Sequence, residues 1–248
     1  MNDDLVKLFG WKATVFHGDP AGFDRWRWLV RHLQPGPLRT LDAGCGSGAF
    51  TLYAAKIGNE ALGLSFDQLN TEVARTRANI LGVFNARFLK VDLRDLSQVS
   101  EDLGLFDQII CFETIEHIMD DHRLMADLSS LLKPGGRLLL TTPYKHYRHL
   151  FGDKLSVSED GGHVRWGYTH EEIRRLFDQY GLEVQVEGYI SGFVYQQITN
   201  LQRILSRLQG KLAWAFTFPL RVFQWVDRPL TRVLGYPHLS IGVVGVKC

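Results

Sequence analysis

The chain has 248 residues, 45% hydrophobic, which is enough apolar material for one large α/β domain and too little length for two of comparable size. A formal charge of +1 gives no strong nucleic-acid signal. No apolar run reaches the ~20 residues that cross a bilayer, the first ten residues lack a signal-peptide core, and the odd set Cys45, Cys111 and Cys248 suits a reducing compartment, so a cytoplasmic setting is expected.

Residues 1–36 hold Phe9, Trp11, Phe16, Phe23, Trp26 and Trp28, and the stretch from Phe23 to Leu33 repeats apolar residues at helical spacing, which predicts an N-terminal cap packed across the main fold. Short apolar runs then alternate with amphipathic helical patterns. Residues 39–42, 61–65, 87–91, 106–112 and 137–142 read as strands, and this rhythm predicts a parallel sheet with helices on both faces. Leu124, Leu128, Leu131 and Leu132 share a helix face that ends at Lys133-Pro134-Gly135-Gly136. Thr169 and Glu172 form a capping box before the buried stripe Ile173, Leu176, Phe177 and Tyr180, Gly181 stops that helix, and 182–190 follows as a strand. The whole of 1–248 reads as one domain whose rhythm is broken by a helical insertion or lid at 191–236, before a last strand at 240–247.

Leu41-Asp42-Ala43-Gly44-Cys45-Gly46-Ser47-Gly48 follows the first strand and opens a helix, where glycines let a ligand approach the backbone. Its G-x-G-x-G spacing disfavours a nicotinamide-dependent oxidoreductase, whose loop prefers G-x-G-x-x-G. With Val91-Asp92-Leu93 and Leu132-Lys133-Pro134-Gly135-Gly136 downstream, residues 37–190 resemble class I S-adenosylmethionine (SAM) dependent methyltransferases, and 106–143 most resembles the ubiquinone-biosynthesis O-methyltransferases and related bacterial small-molecule enzymes. The resemblance implies a Rossmann-like sheet of seven strands with the last antiparallel. It also implies that Asp42, Gly44 and Gly46 line the methionine and ribose, that Asp92 and Leu93 hold the adenine, and that Phe112 flanks the sulfonium. The acid that ends the second strand in that family is replaced by Ser65, and Asp67 is a candidate substitute or simply a helix cap.

Methyl transfer to a hydroxyl requires alignment of the acceptor and removal of its proton. In Glu113-Thr114-Ile115-Glu116-His117, a helical turn starting at Glu113 would place Glu113, Glu116 and His117 on one face, a donor set that suits Mg²⁺ or Mn²⁺ through its carboxylates and Zn²⁺ or Fe²⁺ through its imidazole. This pattern is similar to the metal motif of the ubiquinone O-methyltransferases and of small-RNA 2′-O-methyltransferases. In the latter a further histidine follows, and Gly162-His163-Val164-Arg165-Trp166 offers His163 as a fourth ligand. The glutamates also serve a helix dipole, in which case His117 or His163 is the general base.

Residues 191–236 carry Arg203, Arg207, Lys211, Arg221, Arg228 and Arg232 against Asp227, and Val194, Ile198, Leu201, Leu205 and Leu208 form an apolar stripe. This composition suits a lid over a lipid-like acceptor, a peripheral membrane contact, or a helix packed on the sheet or on a dimer partner. The expectation is SAM-dependent transfer to a small-molecule or lipid-like acceptor, with a non-catalytic binding module docked to a membrane or partner as the alternative. Oligomeric state has no signature in the sequence.

Overall fold

A computed structural model describes residues 3–16, 20–150 and 153–248. Residues 1, 2 and 17–19 of the expected cap, and the side chain of Phe16, lie outside the described residues. The cap is three helices, α1 (Asp3–Phe9), α2 (Lys12–Phe16) and α3 (Pro20–His32). There follow β1 (Arg39–Ala43), α4 (Ala49–Lys56), β2 (Glu60–Ser65), α5 (Gln68–Leu81), β3 (Ala86–Lys90), the short α6 (Ser100–Leu103), β4 (Phe106–Phe112), α7 (Asp121–Ser130), β5 (Leu132–Pro143), α8 (His170–Gln179) and β6 (Leu182–Ile190). The 191–236 segment folds as α9 (Phe193–Ser206), α10 (Gly210–Thr217), a 3-10 turn at Pro219–Val226 and α11 (Asp227–Leu234), and β7 (Ser240–Lys247) ends the sheet.

The seven strands run in the order β3-β2-β1-β4-β5-β7-β6, with β7 antiparallel to both its neighbours and the remaining pairs parallel. This is the Rossmann-like sheet of seven strands, the last antiparallel, that the resemblance implies. Because strand order reverses at β1, the loops after β1 and β4 diverge and leave a crevice at their carboxyl ends, the usual place for a ligand in an open α/β sheet.

Two apolar layers follow from the two-residue alternation of buried strands. Ile109 and Cys111 face Leu124, Leu128, Ile173 and Phe177 of α7 and α8, while Ile110 and Phe112 face Trp28, Leu29, Leu52 and Ala74 of α3, α4 and α5. The expected aromatic cap is therefore an integral layer. Trp11, Trp26 and Tyr53 form one aromatic cluster, with Trp11 and Tyr53 centroids 5.1 Å apart.

One expectation about the strands is corrected. The Lys133-Pro134-Gly135-Gly136 segment does not separate a helix from a strand starting at 137. Strand β5 begins at Leu132, opposite Phe106, and the register jumps to Arg137 opposite Gln108, so the four residues form an irregularity inside the strand, with Gly135 at φ +75°. The apolar stripe read from Val194 to Leu208 runs along α9 and just past its end and is only partly covered: Val194 and Ile198 are buried, whereas Leu201 and Leu208 are exposed.

The capping box is present as read. Thr169 Oγ1 accepts from the Glu172 amide at 3.2 Å, and Glu172 Oε2 accepts from the Thr169 amide at 2.9 Å. Thr169→Ala is expected to cost about 1 kcal/mol and to lower the melting temperature by about 2–4 °C for a chain of this size. An unchanged melting temperature would show the box to be dispensable.

Candidate active site

The crevice beyond β1, β2 and β4 forms a cavity of about 230 Å³. Of the residues expected to hold SAM, it brings Gly44, Gly46, Ser65, Asp92 and Leu93 onto one wall. The loop turns back over β2 because the amides of Gly44 and Cys45 both donate to the Leu64 carbonyl, at 3.1 and 2.8 Å. Gly44 has φ +88°, and a Cβ there would stand 2.3 Å from Thr114 Oγ1, so glycine is required by both torsion and space.

Asp42 and Phe112 lie behind this wall rather than on it. Asp42 is buried beneath the loop, accepts from Thr51 Oγ1 at 2.6 Å, and burial pushes its carboxyl up to about 6 despite that hydrogen bond. Phe112 points into the apolar layer, with its ring 5.7 Å from Trp28 and 5.2 Å from Phe50, because it shares the strand face of Ile110.

At the second-strand end, Ser65 Oγ accepts from the Asp67 amide at 3.3 Å. Asp67 does not reach the cavity, since its Oδ1 accepts from the amides of Leu69 and Asn70 at 2.7 and 3.2 Å and caps α5. Asn70 lines the cavity instead. Asp92 caps the following turn and is ion-paired with Arg94, whose hydrogen bond holds the Asp92 carboxyl below the usual range, and Arg94 reaches on to Glu159 at 3.5 Å. Asn70, Arg94 and Glu159 carried no motif signal in the sequence.

On the acceptor side, the expected helical turn starts too late. Residues Ile115–His117 form a single 3-10 turn, preceded by Glu113 at φ +47°, so Glu113 leaves the face shared by Glu116 and His117. Its carboxylate accepts from Thr141 Oγ1 at 3.1 Å and Ser240 Oγ at 3.3 Å and lies 3.9 Å from Arg25 Nε. Glu113, expected as a ligand, is thus held away from the other candidate ligands. Among the described residues, Glu116, His117 and His163 offer ligand atoms that all lie within 4.8 Å of one another.

One main-chain bond and two from the Arg165 guanidinium hold the loop that carries His163 against this turn. The Val164 amide donates to the Glu116 carbonyl at 3.0 Å, and Arg165 donates to the carbonyls of Ile118 and Met119 at 2.9 and 2.7 Å. His117 Nδ1 lies 3.0 Å from the Gly162 carbonyl; as donor there, it leaves Nε2 with its lone pair toward Glu116, at 3.9 Å from Oε1. The His117 and His163 rings meet edge to face, 4.7 Å between centroids. Burial, reinforced by His117, lowers His163 to about 4, so its imidazole is neutral at physiological pH. Burial and the nearby Glu113 raise the Glu116 carboxyl well above its ordinary value.

Glu116 Oε2 accepts from Thr142 Oγ1 at 3.3 Å, whereas Oε1 is buried with no hydrogen-bond partner. An orphaned carboxylate oxygen facing two imidazoles is what a divalent ion would satisfy, and the residues present fit one. The rings of Tyr147, His149 and Trp166 meet in series at tilts of 57° and 50°, 4.0 and 3.9 Å between centroids.

Residues 22–187 match the family model of a methyltransferase domain. The chain is 32% identical over 199 residues to a ubiquinone biosynthesis O-methyltransferase of Xanthomonas axonopodis pv. citri, covering 77% of this chain and 81% of the relative. The fold is similar to that of the cyclase SpnF, with TM-score 0.64 and 20% identity over 90% of this chain and 81% of that one. It is also similar to SAM-bound magnesium protoporphyrin IX methyltransferase from Synechocystis PCC 6803, with TM-score 0.56 and 17% identity over 99% and 94% of the two chains. Methyltransferase and cyclase alike on one scaffold show that fold does not fix the reaction, but the family model and the Xanthomonas relative do: the chain belongs to the class I SAM-dependent methyltransferases, with SAM rather than a nicotinamide as its cofactor.

Proposed function

We propose that the protein transfers the methyl group of SAM to a hydroxyl oxygen of a lipid-like small molecule, with a divalent ion held by Glu116, His117 and His163. The observation that carries this reading is the convergence of those three side chains around the partnerless Oε1 of Glu116. The Xanthomonas relative, a ubiquinone biosynthesis O-methyltransferase, supports an oxygen acceptor.

In this reading the backbone at Gly44 and Gly46 approaches the methionine and ribose. Ser65 and Asn70 face the ribose hydroxyls in place of an acid, and Asp92 and the Leu93 amide face the adenine. Asp42 acts from behind the loop by tying it to Thr51, and Phe112 backs the sulfonium end through the apolar layer. The acceptor oxygen attacks the methyl carbon in line with the departing sulfur, and S-adenosylhomocysteine leaves. A bound ion would lower the pKa of the acceptor hydroxyl. With one carboxylate and two imidazoles as donors, Zn²⁺, Mn²⁺ or Fe²⁺ suits the site better than Mg²⁺. Without an ion, neutral His163 or His117 is the proton acceptor.

Labelled SAM offered with catechols and phenols bearing long apolar chains, and with matching amines, tests the reading. O-methylated product is expected, lost in a chelator and restored by Mn²⁺ or Zn²⁺. Transfer to nitrogen alone would overturn the acceptor assignment, and full turnover in the chelator would remove the ion.

A further inference from the structure

Between β6 and β7 the chain is patterned inside out. From the 3-10 turn into α11, Arg221, Gln224, Asp227 and Thr231 face inward and are buried, while Val222, Phe223, Trp225 and Val226 face solvent, Trp225 at 89% exposure. In α10, Ala213 and Thr217 are covered, and Leu212 and Phe216 are exposed.

The inward polar set fixes this orientation. Asp227 accepts from the amides of Gly192 and Val194, each at 2.8 Å, and Thr231 Oγ1 accepts from the Phe193 amide at 2.8 Å, so the two side chains together satisfy the start of α9. Rotating the segment to hide its aromatics would strand those amides.

The same geometry sorts the charge. Asp227 is the one acidic residue of 191–236, and it is spent inside. Arg203, Arg207, Arg228 and Arg232 remain exposed. No described helix is long and apolar enough to cross a membrane.

We propose that this face rests on a membrane surface rich in anionic phospholipid, its aromatics at the boundary of headgroups and acyl chains and its arginines on the phosphates. Exposed aromatic and aliphatic side chains interspersed with exposed cations, over a polar inward face, are the pattern of interfacial attachment. Tryptophan is favoured at that depth, where its ring is covered and its N–H stays wet. A second copy of the chain fits the face poorly. A two-fold contact would set exposed arginines against one another with no outward carboxylate in the segment to meet them.

The full chain is floated with vesicles of phosphatidylcholine alone and with about one-third phosphatidylglycerol, at low salt and at about 0.5 M salt, where screening confines charge attraction to a few ångströms. Flotation is expected with the anionic vesicles and is expected to fall steeply in high salt. Arg207→Glu with Arg232→Glu should weaken it by more than about tenfold, and Phe223→Ser with Trp225→Ser should nearly abolish it. Both variants alter exposed side chains away from the cofactor cleft, so unchanged SAM affinity checks that they fold.

Equal flotation with neutral and anionic vesicles, or variants that float like the parent, would overturn the proposal. So would a stable dimer that Phe223→Ser with Trp225→Ser converts to monomer, which would assign the face to a second copy. None of these outcomes depends on which acceptor is methylated.

Discussion

Replacing His117 with alanine is expected to slow methyl transfer by about 10²–10⁴-fold while leaving SAM affinity nearly unchanged. The ring is fixed by its Nδ1 contact with the Gly162 carbonyl, so Nε2 has one orientation, toward Glu116. In the proposed reading, removing it takes away one of three ion ligands or, without an ion, one of the two candidate bases. The side chain is 31% exposed, so its loss opens little cavity and the variant should fold. Glu116→Gln separates the two roles, because the amide retains an acceptor for Thr142 but supplies no charge to an ion. An ion-assisted reaction predicts that both variants lose Mn²⁺ binding, measured directly by calorimetry, and lose turnover with it. Reaction through a histidine base predicts that Glu116→Gln keeps its turnover. Full kcat in His117→Ala would exclude both roles.

What could be read from the chain before its structure was known follows from how local each signal is. The β4 boundaries and the α8 capping box rest on contiguous residues, and both appear as expected. The Lys133-Pro134-Gly135-Gly136 segment carries turn chemistry that sequence cannot distinguish from an irregularity inside a strand, because the difference lies in pairing with β4. Glu113 was misplaced for a related reason. Spacings of i, i+3 and i+4 put it beside Glu116 only if the helix begins at 113, and one residue in a left-handed torsion delays the start. His163 reaches the cluster because its loop, whose Gly162 carbonyl meets His117 from 45 residues away, is bonded to the turn, which no periodicity encodes. Phe112 was placed at the cofactor by motif position, whereas strand alternation, also legible in the sequence, puts it with Ile110 in the apolar layer. The inverted faces of the 191–236 segment were invisible because amphipathicity specifies two sides and not which one the fold covers.

Gly44→Val is expected to abolish measurable SAM binding, a loss of at least about 100-fold, and to destabilise the fold by about 2–4 kcal/mol. Two independent penalties combine. A β-branched residue at φ +88° is held in a torsion that L side chains avoid, and its Cβ would stand 2.3 Å from Thr114 Oγ1 and 2.9 Å from Thr114 Cγ2. Thr114 has little room to yield, since its hydroxyl donates to the Phe112 carbonyl at 3.0 Å. The loop must therefore lift, which breaks the paired contacts of Gly44 and Cys45 with the Leu64 carbonyl and closes the wall that the cofactor needs. Gly46→Ala separates the penalties, because that position has φ +50° but, its chain neighbours aside, no described atom within 4 Å of an added Cβ. Its stability should fall by only about 1 kcal/mol. Denaturant unfolding of the two variants, with SAM and NADH titrations of each, makes the comparison. Equal destabilisation would show that torsion rather than contact with Thr114 requires the glycine, and retained SAM affinity in Gly44→Val would place the cofactor elsewhere than against this loop.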